Sequence, residues 1–434
     1  MELLSMGTCF SSVGCLGKSS AAKGLEWATI EGSPIDANQI DHRTEQHPGE
    51  VTLGGKTMQF GVVGFRGFYP DEPYKENQDK FAVVLPSEWD DQSTAMFGVF
   101  DGHGSMGDKC ADFAMKQMSS RLPVALKGKT SISSDVRECK SATKSCFVGI
   151  NQDLHKHPRV DDTLSGTTAI CVVAVSGDDG SRRLMSANVG DSRAIIVFKD
   201  SNGNFKFKPL SVDQTPYRQD ERIRIREAGG RVLNVNQLEG HEPIHDNWNV
   251  NLGNEVDEYG DPPRVWRQDQ KAPGTAFTRS IGDSVAEELG VFAEPEFDVH
   301  AVDDNDMLLI VASDGVWEFL TNETVKSLAL SASSCQDAAI ILWQQSFKEW
   351  TSKEYRTDDI TVIVVDLNDT YASKRNVSES TAVVVTKTAG TSAELGSMST
   401  QQHKGQSRRG STKMEVNTGS FAKETNASRR GSLQ

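Results

Sequence analysis

The chain has 434 residues and a formal net charge of −15, with 46 Lys and Arg against 61 Asp and Glu. A chain this acidic is a poor general binder of nucleic acid, because neutralising phosphates requires clustered basic residues. No apolar run approaches the roughly 20 residues that cross a bilayer, so we expect no membrane-spanning segment. Hydrophobic residues make up 37% of the chain, below the roughly 45–50% of fully globular chains, which predicts sizeable disordered segments.

The charge is unevenly distributed. Residues 370–434 hold ten Lys and Arg and four Glu, a net charge of +6, which leaves −21 for residues 1–369. The seven cysteines are widely spaced, without a CxxC pair or the spacing of a zinc site. The first residues lack the pattern of a cleavable signal peptide. We therefore expect a reducing, cytoplasmic compartment and no disulfide framework.

The predicted elements begin near Phe60, where short runs dense in β-branched residues alternate with amphipathic stretches. In chain order they are strands at 81–85 and 95–100, helices at 108–122 and 134–155, strands at 167–175, 184–188 and 194–198, a helix at 215–228, a strand at 307–312, a helix at 336–352 and a strand at 360–365. Strands in neighbouring pairs, with helices between the groups, predict antiparallel sheets with helices packed outside.

Polar segments set the expected boundaries. Residues 239–265 are rich in Asn, Asp, Glu and Gly, and a polar stretch of this length inside a domain is typical of a functional lid or of disorder. We expect a lid that takes part in the choice of substrate. After Asn368 the chain turns to Ser, Thr, Gly and Lys, which predicts a disordered basic tail. The predicted organisation is a flexible segment at 1–55, a catalytic domain at 56–368 and a tail at 369–434.

Aspartates recur at the ends of predicted strands. Each is weak evidence alone, because Asp-Gly is a common turn. Four such ends in one domain are more informative, because clustered ionised carboxylates repel one another unless a cation compensates them. Oxygen ligands favour Mg²⁺ or Mn²⁺ over Zn²⁺. The four ends are Asp101-Gly102 after GVF, Asp314-Gly315 after LIVAS, Asp358-Asp359 before ITVIVVD, and Gln78-Asp79 before KFAVV.

Such a site suits phosphate-ester hydrolysis. Two oxygen-bound metals can share a water, lower its pKa and hold a phosphoryl group for in-line attack. His103 lies two residues beyond Asp101, within reach to protonate a leaving alkoxide.

Six motifs in this order carry a family resemblance: FGVFDGHG, SGTTAI, NVGDSRAII, GTAFTRSIGD, ASDGVWEFL and RTDDITVIVVD. Together they resemble the metal-dependent type 2C protein serine/threonine phosphatases (PPM family), over roughly Phe60 to Leu367. The detail looks most like the phosphatase part of plant and protist proteins that fuse it to cyclic-nucleotide-binding and kinase modules. No kinase glycine loop or catalytic-loop motif accompanies it.

The resemblance implies an α+β fold, a four-layer α-β-β-α sandwich of two antiparallel sheets flanked by helices. It implies two Mg²⁺ or Mn²⁺ ions, and a hydroxide bridging them that attacks phosphoserine or phosphothreonine without a covalent intermediate. A third ion would use Asp161 or Asp162, and Asp191 matches a structural turn. The implied roles are Asp101 bridging both metals, Gly102 giving a carbonyl ligand, Asp314 and Asp358 completing one metal, and His103 as general acid.

Two departures from the family pattern concern the site. Where many members have Glu-Asp, this chain has Gln78-Asp79, so one ligand charge is lost and Asp79 or water would compensate. The arginine that usually holds the substrate phosphate falls on Tyr74, and we assign that role to Arg66. Gln78 also motivates the alternative of a pseudophosphatase or binding scaffold with the same fold. A carboxylate-metal phosphodiesterase or nuclease is disfavoured, since the negative body repels polyanions.

The two ends carry modification motifs. Met6-Gly7-Thr8-Cys9-Phe10-Ser11 matches a myristoylation signal if translation starts at Met6, and Cys9 and Cys15 could then be palmitoylated, giving membrane association. Ser411 and Ser432 each follow Arg-Arg-Gly, which suits cyclic-nucleotide-dependent kinases. Phosphorylation there would reverse the local charge and could release the tail from the acidic body. We expect a monomer that acts on phosphorylated proteins.

Overall fold

The computed structural model describes residues 43–89, 93–129, 136–177, 179–248, 250, 252–253 and 260–372. All of them belong to the first of two units, Met1–Asn376 and Val377–Gln434. The acylation motif at Met6 and the motifs at Ser411 and Ser432 lie outside the described residues. In the part of the chain that is described, no helix is both long and apolar enough to cross a bilayer.

Seventeen strands form within the described residues. In chain order they are β1 (Thr44–Gln46), β2 (Gly49–Leu53), β3 (Lys56–Phe65), β4 (Asp79–Val84), β5 (Thr94–His103), β6 (Gly166–Thr167), β7 (Ala169–Ser176), β8 (Arg182–Val189), β9 (Arg193–Lys199), β10 (Phe205–Pro209), β11 (Arg231–Leu233), β12 (Arg264–Trp266), β13 (Pro273–Thr275), β14 (Ile281–Gly282), β15 (Glu296–Val302), β16 (Asp306–Ala312) and β17 (Ile360–Asp366).

Eight α-helices accompany them in the same ranges, besides a 3-10 turn at Pro86–Trp89. They are α1 (Gly107–Leu126), α2 (Val136–Leu154), α3 (Gln219–Glu227), α4 (Val235–Glu239), α5 (Ser284–Glu287), α6 (Asp314–Trp317), α7 (Asn322–Ser331) and α8 (Cys335–Lys353).

Two seven-stranded antiparallel sheets form the centre. Sheet 1 has the order β1-β3-β17-β16-β9-β10, with β2 also pairing β3. Sheet 2 has the order β14-β6-β5-β7-β8-β15, with β4 also pairing β5. The predicted α+β class with two antiparallel sheets is confirmed. The strands of a separate three-stranded sheet, β11-β12-β13, flank the predicted lid at 239–265 in the sequence, with β11 before it, β12 at its end and β13 after it.

Three hydrophobic clusters separate the layers. Along β17, Ile363 belongs to the cluster between the sheets, while its neighbours Val362 and Val364 face the helices α7 and α8. This alternation follows from the two-residue period of a strand, and it explains why ITVIVVD is apolar on both faces. Outside sheet 1, the Trp343 and Phe347 rings of α8 lie 5.4 and 5.5 Å from Phe65. A third cluster packs α1 and α2 on sheet 2, which completes the four layers.

Some predicted bounds are wrong, and the reasons are local. The strand predicted at 167–175 is broken after β6, because the Thr168 N–H donates to the Asp101 carbonyl at 2.8 Å. The helix predicted at 215–228 begins only at Gln219, after a turn in which the Arg218 N–H donates to the Thr215 carbonyl at 3.1 Å. Several short elements, the helix α7 and the strands β2, β3, β10 and β15 were not predicted. Of these strands, β2, β10 and β15 lie at sheet edges, where charged residues interrupt the apolar pattern, whereas β3 lies inside sheet 1.

Candidate metal centre

Strand ends bring five carboxylates to one edge of the sandwich. Asp79 begins β4, and its Cα partner on β5 is Asp101. Asp314 follows β16 as the first residue of α6, and Asp358 and Asp359 precede β17. We call these five residues the strand-edge cluster. The structure thus brings together aspartates that are up to 280 positions apart in the sequence.

Ser313 ties three of these strand ends together. Its Oγ donates to Asp79 Oδ2 at 2.7 Å and accepts the Thr361 N–H at 3.0 Å. The Ser313 N–H in turn donates to the Thr361 carbonyl at 3.0 Å. Because Ser313 lies between β16 and α6, this fully buried serine fixes β4 against β17 at the edge where the carboxylates meet.

Asp359 and Gln78 hold neighbouring backbone segments in place through hydrogen bonds. Both oxygens of Asp359 accept backbone N–H groups, Oδ1 from Gly67 at 2.6 Å and Oδ2 from Gln78 at 2.8 Å. The Gln78 amide Nε2 donates to the Gly104 carbonyl at 2.7 Å. In this structure Gln78 therefore stabilises the loop after β5, whereas its predicted contribution to a metal stays a prediction.

Burial and mutual repulsion disfavour ionised carboxylates in the cluster. Burial, followed by repulsion from Asp359, raises the pKa of Asp79 to about 8. Burial and repulsion from Asp358 raise the pKa of Asp314 to about 8. Burial and repulsion from Asp314 hold the pKa of Asp101 well above its usual range. Burial and the neighbouring Asp358 raise the pKa of Asp359 to about 6. The charges of Lys75 and Arg356 offset these effects only in part.

The donor set fits Mg²⁺ or Mn²⁺. The cluster offers hard carboxylate oxygens, which these ions prefer, and includes neither cysteine nor histidine. Asp79 Oδ1 is buried and, among the described residues, has no hydrogen-bond partner. Such an atom costs free energy unless a partner satisfies it. A divalent cation would supply both the partner and the missing positive charge.

Gly102 has a steric reason to be glycine. A Cβ at this position would lie 2.2 Å from the Gly107 carbonyl oxygen and 2.8 Å from that of Gln78. Its N–H donates to the same Gln78 carbonyl at 3.2 Å. The backbone of β5 can therefore run close to its neighbours beside Asp101, at the position where the sequence predicted a carbonyl ligand.

His103 is held by an aspartate that the sequence did not single out. The His103 Nε2–H donates to Asp283 Oδ2 at 2.6 Å, and Ser280 Oγ donates to the same oxygen at 2.6 Å. The Phe277 ring lies 4.4 Å from the imidazole. Asp283 is buried and has a left-handed backbone, with φ of 53°. Its only sequence signal is its place at the end of the TRSIGD motif.

Cations other than the predicted Arg66 act on the strand-edge cluster. Tyr74, where the family pattern has arginine, is 89% exposed. Arg66 lies beside Arg43, since burial and the charge of Arg66 lower the pKa of Arg43. The charges of Lys75 and Arg356, in contrast, act directly on carboxylates of the cluster. Sequence reasoning missed both.

The two candidate third-metal aspartates differ in their surroundings. The His155 Nδ1–H donates to Asp162 Oδ2 at 2.5 Å, while its Nε2–H donates to Glu287 at 2.7 Å. Asp161 is exposed and accepts the Thr163 N–H at 3.0 Å. Asp162 is therefore already engaged by a histidine, and Asp161 is the accessible carboxylate of the two.

Asp191 is more than a turn residue. Burial and repulsion from Asp213 raise its pKa to about 7. Its charge also contributes to the raised pKa of Asp314. Asp191 therefore adds negative charge next to the strand-edge cluster.

A second group of carboxylates has a different environment. Oxygens of Asp220, Glu221 and Glu296 lie within 4.8 Å of one another, close enough to share an ion. Arginines already occupy the space between them: Arg218 donates to Glu296 at 2.7 and 2.9 Å, and Arg279 donates to Glu221 at 2.8 Å. We call these three residues the arginine-bridged cluster, and we do not assign a metal to it.

The fold and the strand-edge cluster define a carboxylate-centred α-β-β-α sandwich, and sequence comparison gives its family. The family model "Protein phosphatase 2C" matches residues 74–347. The chain belongs to the protein phosphatase 2C family, which makes it a member of a family of hydrolases that act on phosphoproteins. The predicted family is thereby confirmed.

Relatives and solved structures agree with this assignment. "Probable protein phosphatase 2C 35" of Arabidopsis thaliana is 40% identical over 341 residues, which cover 77% of this chain and 92% of the relative. "Probable protein phosphatase 2C 61" of the same organism is 31% identical, covering 67% of this chain and 81% of the relative. The crystal structure of serine-threonine phosphatase 2C from Toxoplasma gondii aligns with a TM-score of 0.58 at 19% identity, covering 74% of this chain and 98% of that one, and so supports the fold.

Proposed function

We propose that this chain is a protein serine/threonine phosphatase that hydrolyses phosphoserine and phosphothreonine with the help of Mg²⁺ or Mn²⁺. The observation that carries the proposal is the strand-edge cluster. It is a group of buried and partly buried carboxylates whose pKa values are raised by burial and by one another, next to a hydrogen-bonded histidine, in a member of the protein phosphatase 2C family.

Five groups would hold the ions: the carboxylates of Asp79, Asp101, Asp314 and Asp358 and the carbonyl of Gly102. When bound, two such ions lower the pKa of a water and neutralise the charge of a phosphoryl group. Asp359 orients these ligands, because both its oxygens are already engaged by backbone N–H groups.

His103 is suited to give a proton to the leaving serine or threonine oxygen. Asp283 accepts the hydrogen bond from Nε2, so the ring orientation is fixed and Nδ1 is the nitrogen left for the transferred proton. A general acid placed in this way contributes on the order of 10²–10⁴-fold to the rate. Asp283 acts through His103 and is therefore a positioning residue.

The scaffold alternative was motivated by Gln78. The Gln78 side chain has a structural contact of its own with Gly104, and no feature of the described residues favours a binding role over hydrolysis. We retain the phosphatase proposal alone.

The test is hydrolysis of a phosphoserine peptide with Mn²⁺ or Mg²⁺. We expect metal-dependent activity that Asp101→Asn abolishes and His103→Gln lowers about a hundredfold. Lys199→Gln, on β9, is the control and should leave activity unchanged. If the wild-type chain hydrolyses no phosphopeptide with either metal, or if Asp101→Asn is fully active, the proposal is wrong.

The resemblance to phosphatase parts of fused proteins, together with the two Arg-Arg-Gly-Ser motifs, supports a proposed partner. A cyclic-nucleotide-dependent kinase would phosphorylate Ser411 and Ser432, and we propose that this changes activity through the charge of the basic tail. Deletion of residues 377–434, which keeps the buried Tyr371, should remove the response of activity to such a kinase. An unchanged response would contradict the idea.

A cytoplasmic monomer, attached to membranes only when acylated, remains our proposal for the state of the protein in the cell. Acylation requires translation from Met6, and stable anchoring needs a second lipid, for instance on Cys9 or Cys15. Mass spectrometry of the native N-terminus checks this directly. A myristoylated Gly7 is expected, and an unmodified Met1 would contradict it.

A further inference from the structure

The segment around Tyr69 is fastened to the segment that carries Asp358. The Phe68 N–H donates to Thr357 Oγ1 at 2.7 Å, and the Thr357 N–H donates to the Phe68 carbonyl at 2.9 Å. The two backbones approach so closely that a Cβ on Gly67 would lie 2.6 Å from the Asp358 carbonyl carbon. Tyr69 is therefore held in a fixed position beside the strand-edge cluster.

Tyr69 contacts the cluster with its hydroxyl and two cations with its ring. Its Oη donates to Asp358 Oδ1. The Lys75 Nζ lies 3.8 Å from the ring centroid, and the Arg356 Cζ lies 5.8 Å from it. Contacts of this kind hold a cation over an aromatic ring with a strength of about 0.5–2 kcal/mol. The ring thus places two positive charges at the rim of a centre built from carboxylates.

Neither cation forms a direct ion pair with a carboxylate of the described residues. Within the described ranges, the side chains of Lys75 and Arg356 form no hydrogen bond and no ion pair within 4.0 Å, although Arg218 and Arg279 of the other carboxylate cluster each form several. Lys75 is half-buried and Arg356 is exposed, so both are accessible from solvent. Two accessible, unpaired cations beside a predicted metal centre favour the binding of an anion.

The electrostatics of the centre support this interpretation. Lys75 and Arg356 both lie on the Tyr69 ring, whose hydroxyl donates to Asp358, so both charges lie next to the cluster. A cation at this place weakens the attraction of a divalent ion to the same carboxylates. It is useful when the site must also hold a dianionic phosphate, since charge-assisted bonds to phosphate are among the stronger hydrogen bonds.

We propose that Lys75 and Arg356, held on the Tyr69 ring, anchor the phosphate group of the substrate in this chain, in the role that the sequence assigned to Arg66. The proposal rests on the proposed phosphatase function. Tyr69 has the further task of positioning Asp358 through its hydroxyl group.

The test separates binding of phosphate from binding of metal. Lys75→Gln, Arg356→Gln and Arg66→Gln are compared with the wild type and with Lys199→Gln. Lys199 is a matched control because its Nζ also lies over a ring, 5.4 Å from Phe205, on β9. The first measurement is the dissociation constant of a fluorescent peptide with a non-hydrolysable difluoromethylene phosphonate in place of phosphoserine, at saturating Mn²⁺. The second is the dissociation constant of Mn²⁺ without peptide, by calorimetry.

We expect Lys75→Gln and Arg356→Gln each to weaken the binding of the phosphonate peptide about tenfold. The same variants should bind Mn²⁺ as tightly as the wild type or up to a few-fold more tightly, because a competing cation is gone. The dissociation constant of the peptide should thus rise, while that of Mn²⁺ stays the same or falls. Arg66→Gln and Lys199→Gln should change neither constant. Tyr69→Phe keeps the ring. It should weaken the binding of Mn²⁺ a few-fold and leave the binding of the peptide at saturating Mn²⁺ unchanged.

Three results would contradict the proposed phosphate anchor. The dissociation constant of the peptide is unchanged in Lys75→Gln and Arg356→Gln, or these variants bind both the peptide and Mn²⁺ more weakly, which indicates a structural role. In the third result, only Arg66→Gln weakens the binding of the peptide. A wild-type protein that does not bind the phosphonate peptide also contradicts it. If the wild type binds the peptide through Lys75 and Arg356 but hydrolyses no phosphopeptide, the phosphatase proposal fails and the anchor stands.

Discussion

The described residues include two groups of neighbouring carboxylates that differ in how their charge is compensated. In the arginine-bridged cluster, burial acts to raise the pKa of Glu221. The hydrogen bonds from Arg224 and Arg279 outweigh this effect and lower the pKa to about 2. In the strand-edge cluster, burial and like charges raise the pKa values of Asp79 and Asp314 to about 8.

The difference shows how a structural carboxylate cluster can be told from a functional one. The arginine-bridged cluster brings its own cations, so its charges stabilise the fold around α3 and β15. The carboxylates of the strand-edge cluster have no arginine among their hydrogen-bond partners in the described residues, and burial and like charges disfavour their ionised forms. A fold retains such an arrangement at a cost in stability, and a charge supplied from outside can offset that cost. The following predictions test this contrast, starting with the largest effect.

Asp314→Asn should have the largest effect on activity and an opposite effect on stability. Loss of one ligand carboxylate should lower kcat/KM for a phosphopeptide by about a thousandfold or more. The metal-free variant should melt a few degrees higher than the wild type at neutral pH, because Asn is neutral without taking up a proton, whereas the raised pKa of Asp314 costs stability above its unfolded pKa of about 4. Phosphopeptide kinetics and thermal melts in chelator measure the two quantities. A metal-free variant that melts well below the wild type would contradict the electrostatic account.

Glu221→Gln should lower the stability of the protein, in contrast to Asp314→Asn. Removing the carboxylate leaves Arg279 and Arg224 with reduced pairing in a largely buried setting, and we expect the free energy of unfolding to fall by about 3 kcal/mol. Denaturant unfolding at saturating Mn²⁺ measures this. Asp246→Asn, which removes an exposed partner of Arg226, is the control and should cost less than about 1 kcal/mol. Equal losses in the free energy of unfolding of Glu221→Gln and Asp246→Asn would contradict the stabilising role of the arginine-bridged cluster.

The stability of the metal-free protein should depend on pH. Because the folded-state pKa values of Asp79 and Asp314 lie above the unfolded value of about 4, the folded state retains protons that the unfolded state has lost. The free energy of unfolding therefore falls as the pH rises from about 4 to about 8. We expect the melting temperature in chelator to drop on the order of 5 °C between pH 6 and pH 8.5. Saturating Mn²⁺ should remove most of this drop, and a drop that is the same with and without Mn²⁺ would count against the cluster as its origin.

The smallest effect concerns His155. Hydrogen bonds to Asp162 and Glu287 raise its pKa to about 9, above the unfolded value of about 6.5. Its contribution to stability is complete below pH 6.5 and is lost as the pH rises through 9. With solvent screening included, this contribution should be about 1–2 kcal/mol. Urea unfolding of the wild type and His155→Gln at pH 6 and pH 9, both with Mn²⁺, should show the pH dependence only in the wild type.

The sequence was sufficient for residues whose signal is local. Asp101, Asp314 and Asp358 stand next to apolar runs of strand length, and strand ends in a sandwich meet at its edges. The family, the two antiparallel sheets and the gathering of these aspartates could therefore be predicted. The site roles of these residues remain predictions.

Residues that depend on packing across the fold could not be predicted in this way. Asp283 meets His103 across 180 positions, and only the left-handed turn after β14 brings it there. Lys75 and Arg356 come together because each lies near the same ring, that of Tyr69, which no sequence period indicates. Edge strands such as β10 were not predicted, because lysines alternate with their apolar residues and no continuous apolar run indicates a strand.

Calorimetric titration of Mn²⁺ into the wild type, Asp314→Asn and Glu221→Gln tests the central claim most directly. The account predicts that the wild type binds Mn²⁺, that Asp314→Asn weakens binding at least about tenfold, and that Glu221→Gln binds like the wild type. Binding that survives Asp314→Asn but is lost in Glu221→Gln would place the metal in the other cluster and contradict the account.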